Sequence, residues 1–379
     1  MNVPLLFYAP MKAPGTFPPS GDTHLAALLV DALTMAGFSP ALASTLATYD
    51  GKGDAAVFAQ HQAQADAEIA RLAADADAGK ARLFFTYHCY HKAPDLVGPR
   101  VASLLGIPYV IAEGSRARKQ EHGPWAQGFH AADAAFGAAA LVLAMTERDR
   151  LGLETMPGLR VALLSPFIRA SRFAVDDAVR ARHRAAWRAR LGLAPATRIL
   201  LAAAMMRPGK KEAGFDDLAA IMAKLDATQA RDAVLVLAGN GGAEARIRAL
   251  MAPFGARVHF AGLIAPDAMP SLYAASDLNV WPGRKEAFGL SYLEAAAAGL
   301  PSIAFDQAGV GAVVKDGVTG VLVPPFDHAA FAGAITRLLS GAARLDDMAR
   351  RGVAHVRHVH DIAAAAKLLG ALLLPMVRA

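Results

Sequence analysis

Short, unbroken apolar runs recur along this sequence, and each is followed by a stretch whose apolar residues have helical spacing. The first run extends from Val3 to Ala9, and the apolar positions from His24 to Met35 repeat with a helical period behind it. A strand that is apolar on both faces must be covered on both faces. The alternation therefore predicts an α/β fold with a parallel sheet between layers of helices. Further strands are predicted at Leu83 to Tyr87, Tyr109 to Ala112, Leu141 to Ala144 and Val161 to Leu164.

The alternation lapses once, around Ser165 to Val175, and then begins again. A chain of 379 residues exceeds one ordinary core, and its apolar content of 54% favours a fully folded protein. We predict two Rossmann-like, doubly wound domains facing across a cleft, residues 1–168 and 169–355, with ligands outside the carboxyl ends of the strands. Strands of the second domain are predicted at Ile199 to Ala204, Val234 to Ala238, Val258 to Ala261, Leu278 to Trp281, Ser302 to Phe305 and Gly320 to Val323.

Composition excludes several classes of protein. Cys89 is the single cysteine, so neither an intramolecular disulfide nor a cysteine metal cluster can form. No apolar run is long enough for a membrane span, and the N-terminus reads as a strand instead of a signal peptide, which favours the cytoplasm. The formal charge of +6 favours an anionic partner: nucleotide phosphates, nucleic acid or an anionic membrane face. No nucleic-acid recognition motif is present, so we expect no nucleic acid partner.

Two glutamates, Glu286 and Glu294, lie eight positions apart around a predicted helix that begins near Phe288 and ends near Ala298. A helix start offers unpaired amides and the positive end of the helix dipole, and it therefore attracts phosphate. The amides of Phe288, Gly289 and Leu290 are the candidates, and Gly289 permits a close backbone approach. Ionised carboxylates on either side can accept hydrogen bonds from hydroxyl groups. This layout suits a nucleotide sugar.

Cations follow the first predicted strand of the second domain. Arg207 and Lys211 both lie beyond Ile199 to Ala204, and so at the edge where phosphate would bind. Arginine can bind two phosphate oxygens together, whereas lysine supplies a mobile point charge. Lys210 is an alternative to Lys211. Cleavage of a sugar–diphosphate bond without a metal requires such cations and amide donors on the departing oxygen.

These motifs together resemble the retaining GT-B glycosyltransferases often called family 4, or glycosyl transferases group 1. The resemblance spans nearly the whole chain. Its specific parts, in chain order, are Pro19-Ser-Gly21-Asp-Thr-His24, Met206-Arg207-Pro-Gly-Lys-Lys211, Gly239-Asn-Gly241, the Glu286 and Glu294 pair, and Asp316-Gly-Val-Thr-Gly320-Val-Leu-Val-Pro-Pro.

The resemblance implies a role for each matching residue. Glu286 would contact the donor sugar, Glu294 the ribose hydroxyls, and Arg207 with Lys211 the diphosphate. Gly21 would let the N-terminal domain approach the phosphates, Gly239 belongs to the second-domain motif, and the base would meet backbone near Leu263. Residues 356–379 would form a helix that crosses back to the first domain.

Three positions depart from the family pattern or lack a fixed role. Asp22 replaces a common second glycine and could be an acceptor-side carboxylate or the N-cap of a helix beginning near Thr23. Glu113 replaces a common histidine and could contact the donor sugar or the acceptor. His88 follows a strand and could line the acceptor side, although histidines in such loops are more often structural. His88 and His91 are too few ligands for a metal.

Charged clusters have a simpler interpretation. The acidic pairs that include Asp177, Asp217 and Asp347 are interpreted as solvated helix starts, not metal ligands. Arg180, Arg184 and Arg188 share one face of a helix, which we interpret as solvated, with peripheral membrane or anionic-acceptor contact as the alternative. We predict no catalytic metal and no bound cofactor; the co-substrate is a UDP- or GDP-linked sugar.

The predicted function is the transfer of a hexose from a nucleotide diphosphate sugar to a saccharide or glycolipid acceptor hydroxyl, with retention of configuration. The resemblance suggests a setting in cell-envelope polysaccharide or lipopolysaccharide synthesis, in the cytoplasm or at the inner face of the membrane. Two alternatives stay open: a nucleotide-sugar epimerase of the same fold, and a non-catalytic nucleotide-sugar-binding protein.

Overall fold

The computed structural model describes residues 2–16 and 21–378. The chain divides into two compact units. The first comprises the residues up to Phe167 together with those from Ile362 onward, and the second comprises Ile168–Asp361. Within the described ranges, no helix combines the length and apolar character needed to cross a bilayer.

The first unit contains one parallel sheet of six strands in the order β2-β1-β3-β4-β5-β6. Its central strands are almost completely buried, as their unbroken apolar sequence predicts. The strands are β1 (Val3–Tyr8), β2 (Phe38–Ser44), β3 (Phe84–Tyr90), β4 (Tyr109–Ser115), β5 (Leu141–Ala144) and β6 (Val161–Leu163).

Six α-helices belong to the described part of this unit, and the last of them comes from the end of the chain. That helix packs against the first helix: an added Cβ on Gly370 would lie 3.5 Å from the carbonyl oxygen of Ala36. The helices are α1 (Gly21–Met35), α2 (Ala55–Ala74), α3 (Gly98–Leu105), α4 (Ala126–Ala138), α5 (Glu147–Leu153) and α13 (Ile362–Arg378).

Strand β2 was not predicted from the sequence. Its middle residues are exposed or half-buried, and Pro40 interrupts the apolar pattern. The strand lies at the edge of the sheet, pairing only with β1 among the described strands. Proline is tolerated there because one side of an edge strand has no ladder hydrogen bonds to lose.

The second unit repeats the plan with a parallel sheet in the order β12-β11-β10-β7-β8-β9. Its strands are β7 (Ile199–Ala203), β8 (Val234–Ala238), β9 (Val258–Gly262), β10 (Leu278–Val280), β11 (Ser302–Phe305) and β12 (Gly320–Val323). Its helices are α6 (Asp177–Leu191), α7 (Lys210–Leu225), α8 (Glu244–Met251), α9 (Met269–Ala275), α10 (Leu290–Ala297), α11 (His328–Ser340) and α12 (Ala342–Val359).

Two parallel six-stranded sheets with helices confirm the predicted α/β class with two doubly wound domains. Because every strand of the second sheet runs in the same direction, the loops that follow β7, β8, β9 and β10 leave one edge. Those loops carry Arg207, Gly239, Leu263 and Glu286 respectively.

The basic face of α6 is not solvated, so that interpretation was wrong. Arg184 lies 2.5 Å from the buried carboxylate of Asp277, and Arg188 is itself buried. Arg180 donates a hydrogen bond of 2.6 Å to the carbonyl oxygen of Ala298. These arginines attach α6 to the rest of the second unit. The carbonyl and carboxylate oxygens at the amino edge of the sheet need hydrogen-bond donors, and the arginines supply them.

Candidate functional site

The carboxylate of Glu286 is held by two donors in the second unit. Lys211 Nζ lies 2.5 Å from Oε1 of Glu286, and Trp281 Nε1 donates to the same oxygen at 3.0 Å. The side chain of Glu286 is 12% exposed, whereas that of Lys211 is 36% exposed. An ionised carboxylate next to an ammonium group is therefore present at the carboxyl edge of the sheet.

Trp281 forms the floor beneath this ion pair. Its ring is buried, packs edge-on against Phe215 at 5.0 Å, and lies 5.5 Å from Lys211 Nζ. Gly214 on α7 leaves room for the ring, because an added Cβ there would lie 2.9 Å from Cη2. The sequence predicts Trp281 at the end of a strand but indicates no role for it, since a tryptophan at a strand end is ordinarily a packing residue.

Helix α10 begins two residues later than predicted, at Leu290, because Gly289 is its N-cap with φ 89°. A Cβ at this position would lie 2.9 Å from the ring of Tyr292, so glycine is required both by conformation and by space. Phe288 is buried just before the cap. The first turn of the helix presents the amides that are predicted to bind phosphate.

Glu294 lies on α10 and is not a solvent-facing helical residue. The hydroxyl of Tyr273 donates a 2.9 Å hydrogen bond to its Oε2. Burial raises the pKa of Glu294, while the hydrogen bond from Tyr273 and the charge of Arg172 oppose that shift. Tyr273 was missed from the sequence because it lies in an apolar helix and is itself fully buried.

The cations after β7 differ in their surroundings. Lys211 faces Glu286 from the first turn of α7, whereas Lys210 is exposed, so the structure favours Lys211 for this position. Arg207 is exposed, and its side chain forms no hydrogen bond or ion pair with any residue in 2–16 or 21–378. The structure therefore joins Lys211 with Glu286 and leaves the Arg207 side chain without a partner among the described residues.

The loops after β8 and β9 meet the exit of β7. Gly239 has φ 138°, and an added Cβ would lie 2.0 Å from the carbonyl oxygen of Ala204. Its amide donates to the carbonyl oxygen of Gly262 at 2.8 Å. Leu263, next in the chain after Gly262, is 65% exposed.

A second cluster lies within the first unit, where His88 lies inside β3 and not after it, and Glu113 lies inside β4, each two residues before its strand ends. The register pairs Tyr87 with Ala112 and Cys89 with Gly114, so His88 stands opposite Glu113. Both have left-handed backbone, with φ 68° and 56°. Such strain in non-glycine residues is concentrated at functional sites.

Polar atoms in this cluster are buried but unsatisfied. His88 Nδ1 lies 3.6 Å from Oδ1 of Asp22 and 3.9 Å from Oε2 of Glu113. Neither His88 Nδ1 nor Glu113 Oε2 has a hydrogen-bond partner within the described chain. Burial raises the pKa of Glu113, and His88 is the largest opposing influence.

Asp22 and Gly21 occupy the first turn of α1, which begins at Gly21. Asp22 is therefore not the N-cap of a helix beginning near Thr23, and this alternative was wrong. An added Cβ on Gly21 meets nothing within 4 Å among the residues with described positions. Pro19 and Ser20, which belong to the same motif, lie outside the described residues.

The acidic pairs do not form a metal site in the described ranges, where no three histidine, cysteine or carboxylate side chains come close enough to hold an ion. Asp217, however, was wrongly interpreted as solvated. It is 1% exposed and paired with Arg284.

The model of the family described as glycosyl transferases group 1 matches residues 196–341. Among curated proteins, a D-inositol 3-phosphate glycosyltransferase of Nocardia farcinica is 36% identical over 177 residues, 45% of this chain and 39% of the relative. An alpha-D-kanosaminyltransferase of Streptomyces kanamyceticus is 29% identical over 285 residues, 71% of this chain and 68% of the relative. The chain spans 39% to 45% of the length of three such inositol-phosphate relatives.

Solved structures share the fold over the whole chain. Anabaena HepE in complex with UDP has a TM-score of 0.76 at 17% identity, covering 99% of this chain and 100% of that one. A sucrose-phosphate synthase from Thermosynechococcus elongatus has a TM-score of 0.74 at 21% identity, covering 100% of both chains. Residues 196–341 therefore resemble the glycosyl transferases group 1 family, and the chain has the two-domain α/β architecture, the GT-B fold, of these solved structures.

Proposed function

We propose that this chain transfers a hexose from a nucleotide diphosphate sugar to an acceptor hydroxyl, with retention of anomeric configuration. One observation carries the proposal: the Glu286 carboxylate is paired with Lys211 and with the Trp281 indole at the carboxyl edge of a parallel sheet. These residues lie within the segment that matches the family. Ligands of doubly wound sheets bind at that edge.

In this proposal, cations bind the diphosphate of the donor and carboxylates bind its hydroxyl groups. Arg207 and Lys211 neutralise the diphosphate, the start of α10 donates amides to it, and Glu286 accepts hydrogen bonds from sugar hydroxyls. The exposure of Arg207, without a protein partner in the described chain, leaves its guanidinium available for phosphate oxygens. Glu294, oriented by Tyr273, accepts the ribose hydroxyls.

The reaction exchanges one bond at the anomeric carbon. The bond from that carbon to the diphosphate oxygen breaks, and a bond to the acceptor oxygen forms on the same face of the sugar. The acceptor proton passes to the departing diphosphate. Cations on the diphosphate lower the barrier because negative charge develops there. No step in this scheme requires a metal ion.

The acceptor site is assigned to Asp22, His88 and Glu113 in the first unit. Buried polar atoms without partners there can bind hydroxyl groups, and satisfying them would be favourable. We propose a polyhydroxylated acceptor, a saccharide or glycolipid. The name of the inositol-phosphate relatives above mentions D-inositol 3-phosphate, which is also polyhydroxylated. The cell-envelope setting, cytoplasmic location and membrane contact stay predictions.

A donor panel tests the proposal. The purified protein is incubated with UDP-glucose, UDP-N-acetylglucosamine and GDP-mannose, with and without a pool of sugar acceptors. Acceptor-dependent release of nucleotide diphosphate, with an α-linked product by NMR from an α-linked donor, is expected. Interconversion of donor sugars would instead indicate an epimerase, and binding without turnover would indicate a nucleotide-sugar-binding protein.

A further inference from the structure

The loop that carries Glu286 is irregular from the end of β10 to the start of α10. Gly283 and Lys285 both have left-handed backbone, with φ 31° and 52°. Segments outside helices and sheets lack the ladder of backbone hydrogen bonds, so their geometry depends on tertiary contacts. The position and orientation of the Glu286 carboxylate therefore depend on the tertiary contacts of this loop.

An ion pair between Arg284 and the buried carboxylate of Asp217 fixes this loop, although the arginine side chain is itself 36% exposed. Arg284 donates from Nε to Oδ2 of Asp217 at 2.6 Å and from Nη2 to Oδ1 at 2.8 Å. Asp217 lies on α7 and is 1% exposed, and Nε2 of His328 lies 2.9 Å from its Oδ1. The two-pronged geometry fixes both the direction and the distance of the arginine, which a single contact would not.

Phe326 covers the guanidinium. Its ring centroid lies 5.2 Å from Cζ of Arg284. Phe326 has φ 64°, an unfavourable backbone for a bulky residue, and its side chain is 53% exposed. Contact with a cation accounts for an aromatic ring in this position, since a ring face attracts a guanidinium.

Two further hydrogen bonds fix the backbone of this loop close to Glu286. Gln307 Nε2 donates to the carbonyl oxygen of Gly283 at 2.8 Å, and the amide of Gly309 donates to the carbonyl oxygen of Glu286 at 3.2 Å. Gly309 is so close that an added Cβ would lie 1.4 Å from the carbonyl oxygen of Ala287. The loop is thus fixed on both sides of Glu286.

We infer that Arg284, Asp217, His328 and Phe326 form a positioning cluster that holds Glu286 in the orientation it needs to bind the donor sugar. The sugar part of this inference rests on the proposed function. None of the four contacts the Glu286 carboxylate in the described chain, so they act through the loop backbone and are positioning residues.

A surface ion pair between α8 and α7 provides a matched control. Arg246 Nη2 lies 2.9 Å from Oδ1 of Asp216, the neighbour of Asp217, and the two side chains are 53% and 38% exposed. A pair between two exposed side chains contributes little, whereas removal of Arg284 would leave the buried Asp217 carboxylate without its two-pronged partner, which is costly. Arg284→Ala and Arg246→Ala therefore remove similar groups with different expected consequences, and Arg284→Lys keeps the charge without the two-pronged contact.

The first measurement is hydrogen–deuterium exchange of the full chain. We expect faster exchange in peptides covering residues 282–289 for Arg284→Ala, an intermediate rate for Arg284→Lys, and the wild-type rate for Arg246→Ala. This readout does not depend on catalysis. Unchanged exchange in Arg284→Ala would overturn the positioning cluster even if the protein proves to be a glycosyltransferase.

The second measurement uses the donor sugar turned over in the panel above. Arg284→Ala should lower kcat/KM by about 10- to 100-fold, the range for a misplaced binding group, while the Kd of the free nucleotide diphosphate stays within about twofold. In a Glu286→Ala background, Arg284→Ala should add little, because its effect passes through Glu286. The inference would be contradicted if the effects of Arg284→Ala and Glu286→Ala on kcat/KM were fully additive. It would also be contradicted if Arg284→Ala weakened the binding of nucleotide and of nucleotide sugar equally. No turnover of any donor by the wild-type protein would count against the proposed function alone, and the exchange measurement would still decide the cluster.

Discussion

Lys211 Nζ lies 2.5 Å from Oε1 of Glu286, so a cation assigned to the diphosphate and a carboxylate assigned to the sugar are already paired. The pair orients both side chains without a ligand. A donor would bind to groups whose positions are largely set, which reduces the cost of ordering them during binding.

The adjacent residues Lys211 and Lys210 allow the role of the Lys211–Glu286 ion pair to be tested. Lys211→Ala should lower kcat/KM about 100-fold or more, because a preorganised donor to the departing group is lost. Lys210→Ala should stay within about threefold, since Lys210 is exposed and the ion pair with Glu286 belongs to its neighbour. Steady-state kinetics of both variants measure the difference. Equal losses would show that the Lys211–Glu286 pair has no special role.

Arg207 should be needed for turnover but not for folding. Arg207→Ala is expected to reduce kcat/KM by about 100- to 1,000-fold through loss of charge stabilisation on the diphosphate. The thermal midpoint should shift little, because the side chain is exposed and has no partner in the described chain. Kinetics and thermal unfolding on one preparation check both parts, with Arg248→Ala as a surface control. Wild-type activity would exclude the assigned role.

Tyr273 and Glu294 should act on donor binding. Glu294→Ala should raise the donor KM strongly, and Tyr273→Phe should raise it by about fivefold, the value of one hydrogen bond near 1 kcal/mol. The kcat of Tyr273→Phe should change little, because the ribose lies away from the reacting carbon. Donor titrations measure this. An effect of Tyr273→Phe confined to kcat would disagree with a ribose-orienting role.

Glu113 predicts a specific dependence of stability on pH. Because burial raises the pKa of its carboxyl in the folded state, the folded protein retains a proton that the unfolded chain has lost. Stability associated with Glu113 is therefore greatest below the ordinary glutamate pKa, about 4.3, and falls as pH rises through the raised value. Denaturant unfolding from pH 4 to 8 should show Glu113→Gln gaining stability relative to wild type with increasing pH. A constant difference across that range would contradict the shift.

Chelation tests the proposed absence of a catalytic metal. Activity should persist after treatment with EDTA and removal of divalent ions, because cations and amides are proposed to stabilise the diphosphate. The assay should be repeated with added Mg²⁺ and Mn²⁺ to detect stimulation. Complete loss that either ion restores would require a different mechanism for the departing group.

The sequence was most informative where one physical requirement fixed the pattern. Buried parallel strands must be apolar on both faces, so eleven of the strands could be located from apolar runs, whereas β2, an edge strand containing Pro40, could not. Gly289 at a helix start was likewise predictable, although the helix begins only after it.

Partners distant in the chain could not be predicted. Tyr273 contacts Glu294, 21 positions away, only because α9 and α10 come together in the fold. Asp217 looked like a solvated helical residue because its partner, Arg284, lies 67 positions away. Backbone strain at His88 and Glu113 also leaves no clear mark in the sequence, since histidine adopts left-handed backbone only occasionally and glutamate rarely.

The first unit begins with the first strand of the chain but is completed by its last helix. Leu369 and Leu373 of α13 are fully buried in that unit, and α1 is the helix they pack beside. On a ribosome, every residue of the second unit emerges before α13 does. The unit that is synthesised first is therefore the last to be completed, and its apolar surface beneath α13 is uncovered throughout synthesis of the other.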